Sequence, residues 1–447
     1  MSGVLPGLLV GLLATTASAV PSDPVAPPPC RAIDRPHDHV ELRGTTLRKL
    51  NRIPLDRFAV LTGRDGEPVP IPFQIDEKRG HRPTLQHGPG ARVDNRPGQF
   101  DFDDVVVIMA CDLGERLDDR ARERMVQSHH LDAWREVRVR DPLTGALGWV
   151  YVVVGTHVPR TTRPYVTYGP GDVVRTAAYR LAMRHALPTN FRLAARGTMS
   201  RNLLDGLRLR GEAVANAHLA RLTLTEVDVD HRLVAWGHGA VRAMRRSKHD
   251  ISIGLGIDIT VGVAHTYFYS RRITGPGKMK LPFSPSYLLR QARVFGGVDM
   301  SGLDGWHYHA PGLDTPLRID GTSSELERRP PSRGTWFVLA RDDVAMLVVA
   351  RLGDTTAAAV DLKLAYTDDA VTPRPPERRV GVMPLVGFQA ADLHLLEAGR
   401  YVYALEVLFL NGYRPGDEVP LLARLGAPLE PTLTAPARYV AARATRP

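Results

Sequence analysis

The chain has 447 residues, 43% of them hydrophobic and 24% charged, and its formal net charge is +10 at pH 7. This length exceeds one typical hydrophobic core, so we expect two domains or three. The positive charge comes mostly from arginines that are scattered along the chain. Because they form no basic stripe, nucleic acid is excluded as an expected partner, and anionic polysaccharide or lipid headgroups are favoured.

The first residues predict export. Residues 1–19 carry no charge and contain the apolar run 4–13, which is followed by the small residues Ala17 and Ala19. These features predict a signal peptide and therefore a periplasmic or secreted protein. An uncleaved anchor is the alternative, although the run is shorter than the roughly 20 residues that span a bilayer. No later segment is long and apolar enough, so we expect no transmembrane segment in the mature chain.

A proline-rich spacer, residues 20–36, is expected to follow the signal peptide and to lack regular structure. It contains Cys30, and the only other cysteine is Cys111, at the end of an apolar segment. In an oxidising compartment the two can form a disulfide that ties the spacer to the first sheet. The alternative is that Cys111 is a buried thiol. The histidines His37 and His39 are expected to belong to an exposed tail.

Short apolar and alternating segments predict a first β-sandwich domain over residues 37–160. Residues 105–110 are apolar on both faces, which is typical of a central buried strand. Turn-forming residues separate several of the other segments and favour hairpins. The other predicted strands are Val40–Arg43, Phe58–Leu61, Val69–Asp76, Glu136–Arg140 and Gly148–Val154.

Asp94, Asp101 and Asp103 lie in an oxygen-rich loop that precedes the buried strand. Hard oxygen ligands at such spacing can bind calcium. The spacing does not match an EF-hand loop, and a solvated turn that enters a strand is the alternative. The sequence thus establishes no cofactor; calcium is the candidate, and zinc is the less favoured one.

The region 165–440 predicts a larger β-sandwich domain. Its clearest signal is an alternation of apolar with small or polar residues from Ile251 to Val263, which continues to Tyr269. Period two is the signature of a strand, so we expect a long curved strand over residues 251–269. Residues 272–334 are rich in glycine, proline and serine and are expected to form long loops. The predicted fold class is all-β, with two β-sandwich domains, the second of which is larger and contains the long curved strand.

Aromatic and basic residues end this alternation. His265, Tyr267 and Tyr269 continue the apolar face, and Arg271 follows them. Aromatic rings that stack on sugar C–H groups, together with arginines that bind carboxylates, are typical of a saccharide or uronate cleft. The alternative is a strand end that passes from core to solvent.

The sequence Trp-His-Tyr-His at 306–309 is the other candidate for a ligand-binding or metal-binding segment. Trp306 and His307 are candidates to complete the saccharide cleft. In an extended backbone His307 and His309 point the same way, as two metal ligands would, and His265 or an acid is a candidate for the third. The alternative is a polar loop with ordinary surface histidines.

The chain contains no Gly-x-Ser-x-Gly, His-Glu-x-x-His, P-loop or Cys-x-x-Cys sequence. Residues 71–77, 102–110, 134–137 and 148–151 together resemble a pattern of uncharacterised exported bacterial β-rich proteins, which implies no known activity. Residues 237–242, Gly-His-Gly-Ala-Val-Arg, resemble a segment of galactose-mutarotase-like sandwich proteins, which act on or bind carbohydrate. No catalytic residue of such enzymes is matched in this chain.

These observations favour an exported protein that binds carbohydrate or an envelope polymer without turnover. The first alternative is a polysaccharide lyase or hydrolase, with His or Tyr as a base and Arg to neutralise a uronate. The second alternative is a structural envelope component with no small ligand. Clustering of His265, Tyr269, Arg271 and His307 with an acid in one deep pocket would favour the enzyme. A shallow aromatic groove would favour binding, and dispersal of these residues would favour the structural component.

Overall fold

The computed structural model describes residues 23–80, 82–161, 163–216, 220–252, 258–329, 332–371 and 384–434. The predicted signal peptide, residues 1–19, lies outside these ranges. In the described part of the chain strands predominate and helices are short, which confirms the all-β class. None of the helices described is long and apolar enough to cross a membrane.

The first part of the chain, up to residue 160, contributes nine strands to antiparallel sheets. These strands are β1 (His39–Arg43), β2 (Phe58–Arg64), β3 (Glu67–Pro70), β4 (Gln74–Asp76), β5 (Lys78–Arg79), β6 (Arg82–Pro83), β7 (Val105–Met109), β8 (Leu131–Arg140) and β9 (Leu147–Gly155). One helix, α1 (Asp119–Ser128), begins where the Asp118 side chain accepts a hydrogen bond from the Ala121 amide. This N-cap satisfies an amide that the first helical turn leaves free.

The second part forms longer strands and two short helices. Its strands are β10 (Val166–Gly169), β11 (Val173–Thr176), β12 (Tyr179–Arg184), β13 (Leu187–Ala195), β14 (Thr198–Met199), β15 (Leu204–Ala215), β16 (Arg221–Thr225), β17 (Val229–His238), β18 (Arg242–Ser252), β19 (Asp258–Tyr269), β20 (Arg272–Leu281), β21 (Leu289–Met300), β22 (His307–His309), β23 (Leu317–Arg318), β24 (Trp336–Arg341), β25 (Val344–Leu352), β26 (Asp361–Thr367), β27 (Leu385–Ala391), β28 (Gly399–Leu410) and β29 (Glu430–Leu433). The helices are α2 (Asp354–Ala359) and α3 (Glu418–Gly426).

The largest sheet has nine strands in the order β17-β18-β19-β20-β28-β25-β24-β22-β23. The order in the other large sheet of the second part is β16-β15-β21-β27-β26, and β10 to β14 form a third sheet. In the first part, β1-β7-β4 is a small sheet, and β8-β9-β2-β3 is joined at its edge by β29. The C-terminal strand thus pairs with the first part of the chain, and the predicted domain boundaries stay a prediction.

Strand β7 connects two hydrophobic cores. Val106 and Ile108 pack into a core within the first part of the chain. Val105, Val107 and Met109, on the opposite face, pack into the largest core, which is built mostly from the second part. Successive strand residues alternate between faces, so a strand that is apolar throughout can serve both cores. The prediction of a central buried strand here is confirmed, and the small sheet is held against the nine-stranded sheet.

The long strand predicted over residues 251–269 is divided between two strands. β18 ends at Ser252 and β19 begins at Asp258, and the two pair antiparallel with Ile251 opposite Ile259. The predicted boundaries were therefore wrong, although β19 is itself 12 residues long. Residues 253–257, which the predicted strand included, lie outside the described ranges.

Residues 272–334, predicted to form long loops, contain β20 and β21, so this prediction was wrong. The glycines that suggested loops lie where neighbouring groups approach the strands closely. A Cβ atom on Gly277 would lie 2.3 Å from the ring of Tyr403, and one on Gly297 would lie 2.4 Å from the carbonyl oxygen of Val386. Glycine serves close packing within the sheet at these positions rather than chain reversal.

Candidate functional site

Alternate residues of β18, β19 and β20 share one face of the nine-stranded sheet. In the antiparallel register Arg242 lies opposite Tyr269, and Arg246 lies opposite His265. Directly opposed residues of an antiparallel pair point to the same side of the sheet. We call this side the polar face, and it comprises Arg242, Met244, Arg246, His265, Tyr267, Tyr269, Thr274 and Lys278.

At one end of the polar face, Arg242 is buried and surrounded by acceptors. Its Nε donates to Asp76 Oδ2 at 2.8 Å, and its Nη1 donates to Glu41 Oε1 at 2.8 Å and to Tyr269 Oη at 2.6 Å. Glu41 and Asp76 come from β1 and β4, on the face of the small sheet that packs against the nine-stranded sheet. Burial alone would lower the pKa of Arg242, but the carboxylates of Asp76 and Glu41 raise it well above its usual value.

The groups around Arg242 compensate one another's charge. Burial raises the pKa of Glu41, but Arg242 and Lys78 outweigh it and hold this pKa at about 2. His39 stacks on the Tyr269 ring with centroids 4.4 Å apart, and its Nε2 lies 3.1 Å from Tyr269 Oη. Burial, followed by the charges of nearby arginines, lowers the pKa of His39 to about 3. At neutral pH His39 is therefore uncharged and Glu41 is ionised.

The expectation that His37 and His39 form an exposed tail was wrong. His37 is buried, and its Nε2 lies 3.0 Å from the Phe409 carbonyl oxygen. His39 begins β1, and its register partner is Met109 of β7. Pairing of β1 with a buried strand holds His39 in a partly buried position, and His37 is buried just before it, which the polar local sequence does not indicate.

At the other end of the polar face, positive groups converge without an acid. Burial lowers the pKa of the half-buried Arg246, and the charges of Arg92 and Arg82 lower it further. Burial likewise lowers the pKa of His265, helped by Arg246, Arg82 and Lys278. Among the described residues no carboxylate opposes these effects at either group. This end of the polar face therefore has an uncompensated positive charge.

The segment 82–92 brings the two additional arginines to this end. It runs along β17, where the His87 amide donates to the Trp236 carbonyl oxygen at 3.0 Å and the Gly90 amide donates to the Val234 carbonyl oxygen at 2.8 Å. Gly90 is required for this approach, because a Cβ atom there would lie 2.4 Å from the Val234 side chain. The apolar contact is continued by Leu85, which packs with Met244, Ala235 and Tyr267.

The structure does not bring Trp306 and His307 to the polar face. Four strands, β20, β28, β25 and β24, separate β19 from β22, which corresponds to roughly 24 Å at the usual strand spacing. Trp306 is only 4% exposed and belongs to the largest core. It is therefore not placed to contact a saccharide, and the predicted candidates fall into separate groups.

His307 and His309 line a cavity of about 300 Å³ on the edge of the nine-stranded sheet. His309 Nδ1 lies 2.5 Å from Tyr413 Oη, and its Nε2 lies 3.1 Å from the Leu313 carbonyl oxygen. Tyr413 in turn donates to Glu418 Oε2 at 2.6 Å. Because both ring nitrogens of His309 already contact protein atoms, this pair does not present the two free nitrogens that a zinc site needs.

Arg271 lies in a third place, in the short turn between β19 and β20. Its Nη1 donates to Asn411 Oδ1 at 2.7 Å, and it lines a cavity of about 400 Å³ together with Asp343 and Phe409. The set His265, Tyr269, Arg271 and His307 is thus not gathered in one pocket, which argues against the enzyme built from all four. Arg271 and His307 lie apart, whereas His265 and Tyr269 share the polar face. Of the predicted candidates, His265, Tyr267 and Tyr269 remain together.

The acidic loop before β7 brings together a different trio from the one predicted. Carboxylate oxygens of Asp94, Asp101 and Asp104 lie within 4.8 Å of one another. Asp103, which the sequence suggested, points away and accepts a hydrogen bond from the Gly80 amide at 2.8 Å. Burial, reinforced by the neighbouring acids, raises the pKa of Asp104 to about 7.

Cys30 and Cys111 are joined by a disulfide. Cys111 follows β7 and is buried, so the bond attaches residue 30 of the proline-rich spacer to the small sheet. The bond closes a chain segment of 81 residues. The structure thus forms the bridge that was one of the two alternatives for these cysteines.

No protein-family profile and no curated protein sequence matches the chain. Solved structures with partial similarity include an alpha-mannosidase from Enterococcus faecalis V583, with 8% identity and a TM-score of 0.46, over 90% of this chain and 45% of the mannosidase. A putative aldose 1-epimerase from Escherichia coli K12 has 11% identity and a TM-score of 0.27, over 55% of this chain and 98% of the epimerase. A putative aldose 1-epimerase from Klebsiella pneumoniae subsp. pneumoniae MGH 78578 has 8% identity and a TM-score of 0.30, over 55% of this chain and 82% of that epimerase.

This chain thus spans less than half the length of the mannosidase that it matches. At these TM-scores the similarities carry no inference about activity or ligand. The functional conclusion below therefore depends on the residues of the polar face alone.

Sequence analysis missed Glu41, Asp76, Arg242, Arg246 and Lys278. The sequence could have indicated a basic face on β18. Its residues Arg242, Arg246 and Lys248 occupy even-numbered positions of one strand and thus share a face. No comparable signal identifies the acids, because their role depends on the packing of two sheets from distant parts of the chain.

Proposed function

We propose that this protein binds an acidic, uronate-containing polysaccharide on the polar face and does not cleave it. The observation that supports the proposal is a cluster of positive groups without a carboxylate. Arg82, Arg246 and Lys278 act on His265, and Arg82 and Arg92 act on Arg246. Like charges that are held together in a partly buried place repel one another, and this repulsion costs free energy. A bound polyanion would offset that cost. Arginines suit this ligand because a guanidinium can bind a carboxylate through two parallel hydrogen bonds.

The neighbouring aromatic and apolar side chains favour a saccharide among polyanions. Tyr267 is half-buried on the same face and packs beside Leu85 and Met244. Aromatic rings offer flat apolar surface to the C–H groups of a sugar ring while the charged groups bind its carboxylate. The polar face therefore combines the two kinds of contact that a uronate unit requires.

Binding without turnover is favoured by the state of the candidate bases. Tyr269 is 1% exposed, and its hydroxyl already contacts Arg242 and His39. Arg242 is in turn neutralised by Asp76 and Glu41. A buried base and a neutralised arginine cannot reach a substrate as a lyase would require.

A lyase that uses His265 is the second candidate function. The lowered pKa of His265 leaves it a neutral imidazole at pH 7, and arginines beside it are placed to neutralise a uronate. This candidate predicts the release of unsaturated uronate products, which binding alone does not.

The test is a titration of the purified chain from Val20 onward with polygalacturonate, hyaluronate and neutral dextran. We expect saturable binding of at least one acidic polymer, no binding of dextran, and weakening as salt is added, because screening reduces the attraction. The double variant Arg246→Gln/Lys278→Gln is expected to bind about tenfold or more weakly, since it removes two charges from the cluster.

The matched control is Arg120→Gln/Arg138→Gln, which removes the same charge from exposed positions of α1 and β8. It is expected to bind as the unchanged protein does. Equal losses in the two double variants would mean that net charge alone attracts the polymer, and the proposal would be wrong. Accumulation of unsaturated uronate products during the titration would show that the polymer is cleaved, and the lyase would then be the correct function.

A further inference from the structure

A second cluster of charged groups lies at the start of β7 and has the opposite sign. Carboxylate oxygens of Asp94, Asp101 and Asp104 lie within 4.8 Å of one another. Asp104 is fully buried, and its two oxygens accept hydrogen bonds from the backbone amides of Lys78, at 2.9 Å, and Asp101, at 2.8 Å. The three carboxylates thus converge on one small volume at the edge of the protein interior.

No side-chain cation of the described residues forms an ion pair with this cluster. Lys78 is bound to Asp104 only through its backbone amide, and its ammonium group lies 3.6 Å from Glu41 instead. The mutual repulsion of three close carboxylates in a site of low dielectric is therefore not offset by protein charges. A positively charged ligand would offset it.

Asp94 gives an independent indication of a ligand. Its residue is only 8% exposed, and its Oδ2 accepts a hydrogen bond from the Arg96 amide at 3.1 Å. Its Oδ1 is buried and has no hydrogen-bond partner among the described residues. A buried carboxylate oxygen without a partner costs free energy and is rare unless water or an ion completes its contacts.

The backbone holds the loop that carries these acids in place. The Phe100 amide donates to the Ile53 carbonyl oxygen at 2.9 Å, and the Arg52 amide donates to the Phe100 carbonyl oxygen at 2.8 Å. The Gly98 amide donates to Glu77 Oε1 at 2.7 Å. The cluster is thus positioned by contacts with two separate segments of the chain and does not depend on a ligand to form.

We propose that Asp94, Asp101 and Asp104 form a calcium-binding site. All the donor atoms are oxygens, which calcium and magnesium prefer and zinc does not. Calcium takes six to eight oxygen ligands at about 2.3–2.6 Å, so opposite ligands stand about 5 Å apart. Magnesium keeps several of its waters and is usually bound through only one or two carboxylates, so a trio of carboxylates favours calcium. Water and backbone carbonyl groups would supply the remaining ligands.

The test measures metal binding and thermal stability of the purified chain from Val20 onward after treatment with EDTA and dialysis. Calcium chloride is expected to raise Tm by roughly 3–6 °C at concentrations far above Kd, because an ion that binds only the folded state stabilises it. Isothermal titration is expected to give one site per chain. Magnesium chloride is expected to give a clearly smaller shift.

Three substitutions distinguish the site from general attraction of cations to acids. Asp94→Asn and Asp104→Asn keep the shape of the side chain and are expected to abolish the calcium shift. Asp103→Asn changes a neighbouring acid that lies outside the cluster. This variant is expected to retain the rise in Tm that calcium causes.

Two results would overturn the proposal. One is the absence of calcium binding by the unchanged protein at millimolar concentration in both measurements. The other is a loss of binding in Asp103→Asn as large as in Asp94→Asn and Asp104→Asn. Asp94→Asn serves as the decisive variant if Asp104→Asn fails to fold, since Asp94 accepts only one hydrogen bond from the protein.

Discussion

Arg242 and Arg246 lie on the same strand and the same face, four residues and about 13 Å apart, yet their surroundings are opposite. Arg242 is buried against Asp76 and Glu41, and its pKa is raised. Arg246 has arginines for neighbours, and its pKa is lowered by burial and by their charges. The comparison shows that an arginine on a sheet face has its charge compensated where the protein supplies an acid and uncompensated where it does not.

The difference arises from what covers each end of the polar face. The small sheet β1-β7-β4 covers the Arg242 end, and its strands carry acids at the matching positions. Beyond that sheet, the segment 82–92 runs along β17 and brings Arg82 and Arg92 near Arg246 instead of acids. The first end is therefore part of the contact between two sheets, whereas the second is the place where we expect a polyanion.

The largest expected effect is the loss of Arg242. In Arg242→Met the carboxylate of Asp76 remains buried without its partner, and Glu41, which is partly exposed, keeps only Lys78. We therefore expect the free energy of unfolding to fall by about 3–5 kcal/mol. Urea denaturation measures this loss. Adding Asp76→Asn to the variant is expected to recover part of it, because the buried unpaired charge is removed. A loss below about 1 kcal/mol would show that the pairing is not structural.

A smaller effect is expected for Glu41→Gln. Because the folded state holds the pKa of Glu41 down at about 2, from an ordinary value of 4.5, its ionised form stabilises the fold. This contribution is fully present above pH 4.5 and is lost as the pH falls through about 2. Glu41 is partly exposed, so we expect the variant to lose only about 1–2 kcal/mol at pH 7.

The acid unfolding profile provides the control for this prediction. The two proteins are expected to converge in stability as the pH approaches 2, since both then lack the charge at residue 41. A constant difference between them from pH 7 to pH 2 would contradict the assignment of the effect to the ionised carboxylate.

The smallest effect concerns pH and ligand affinity. His265 is neutral at pH 7, because burial and nearby cations lower its pKa below the ordinary value of 6.5. We expect the affinity for polygalacturonate to be constant from pH 7 to pH 8 and to rise about two- to fivefold as the pH falls and His265 gains a proton. The rise is expected to disappear in His265→Gln. A rise that persists in this variant would assign the titration to another group.

Much of the fold could be predicted from local patterns. The apolar run at 105–110 identified the buried strand β7, and the alternation that ends at Tyr269 placed His265, Tyr267 and Tyr269 on one face. The same alternation did not reveal the reversal between β18 and β19, because the sequence alternates without a break from Ile251 to Tyr269. Glycines at 277 and 297 suggested loops, although they permit close packing inside a sheet.

The candidate sites depended more strongly on contacts between distant residues. His307 and Trp306 were grouped with Tyr267 because all are aromatic or basic, but four strands separate them in the sheet. Asp103 was chosen in place of Asp104 because the sequence does not show which side chain of a loop turns inward. In the structure the Asp104 carbonyl oxygen accepts a hydrogen bond from Gly44, and its side chain accepts two from Lys78 and Asp101.

The sequence by itself determined the strand-rich architecture, the shared face of His265 and Tyr267, and the acidic character of the loop before β7. These properties depend on periodicity and composition, which are local. Tertiary structure alone decided that Arg242 is neutralised and Arg246 is not, and that Asp94, Asp101 and Asp104 converge. Charge compensation depends on which side chains meet within a few ångströms, and this is set by the packing of sheets from distant parts of the chain.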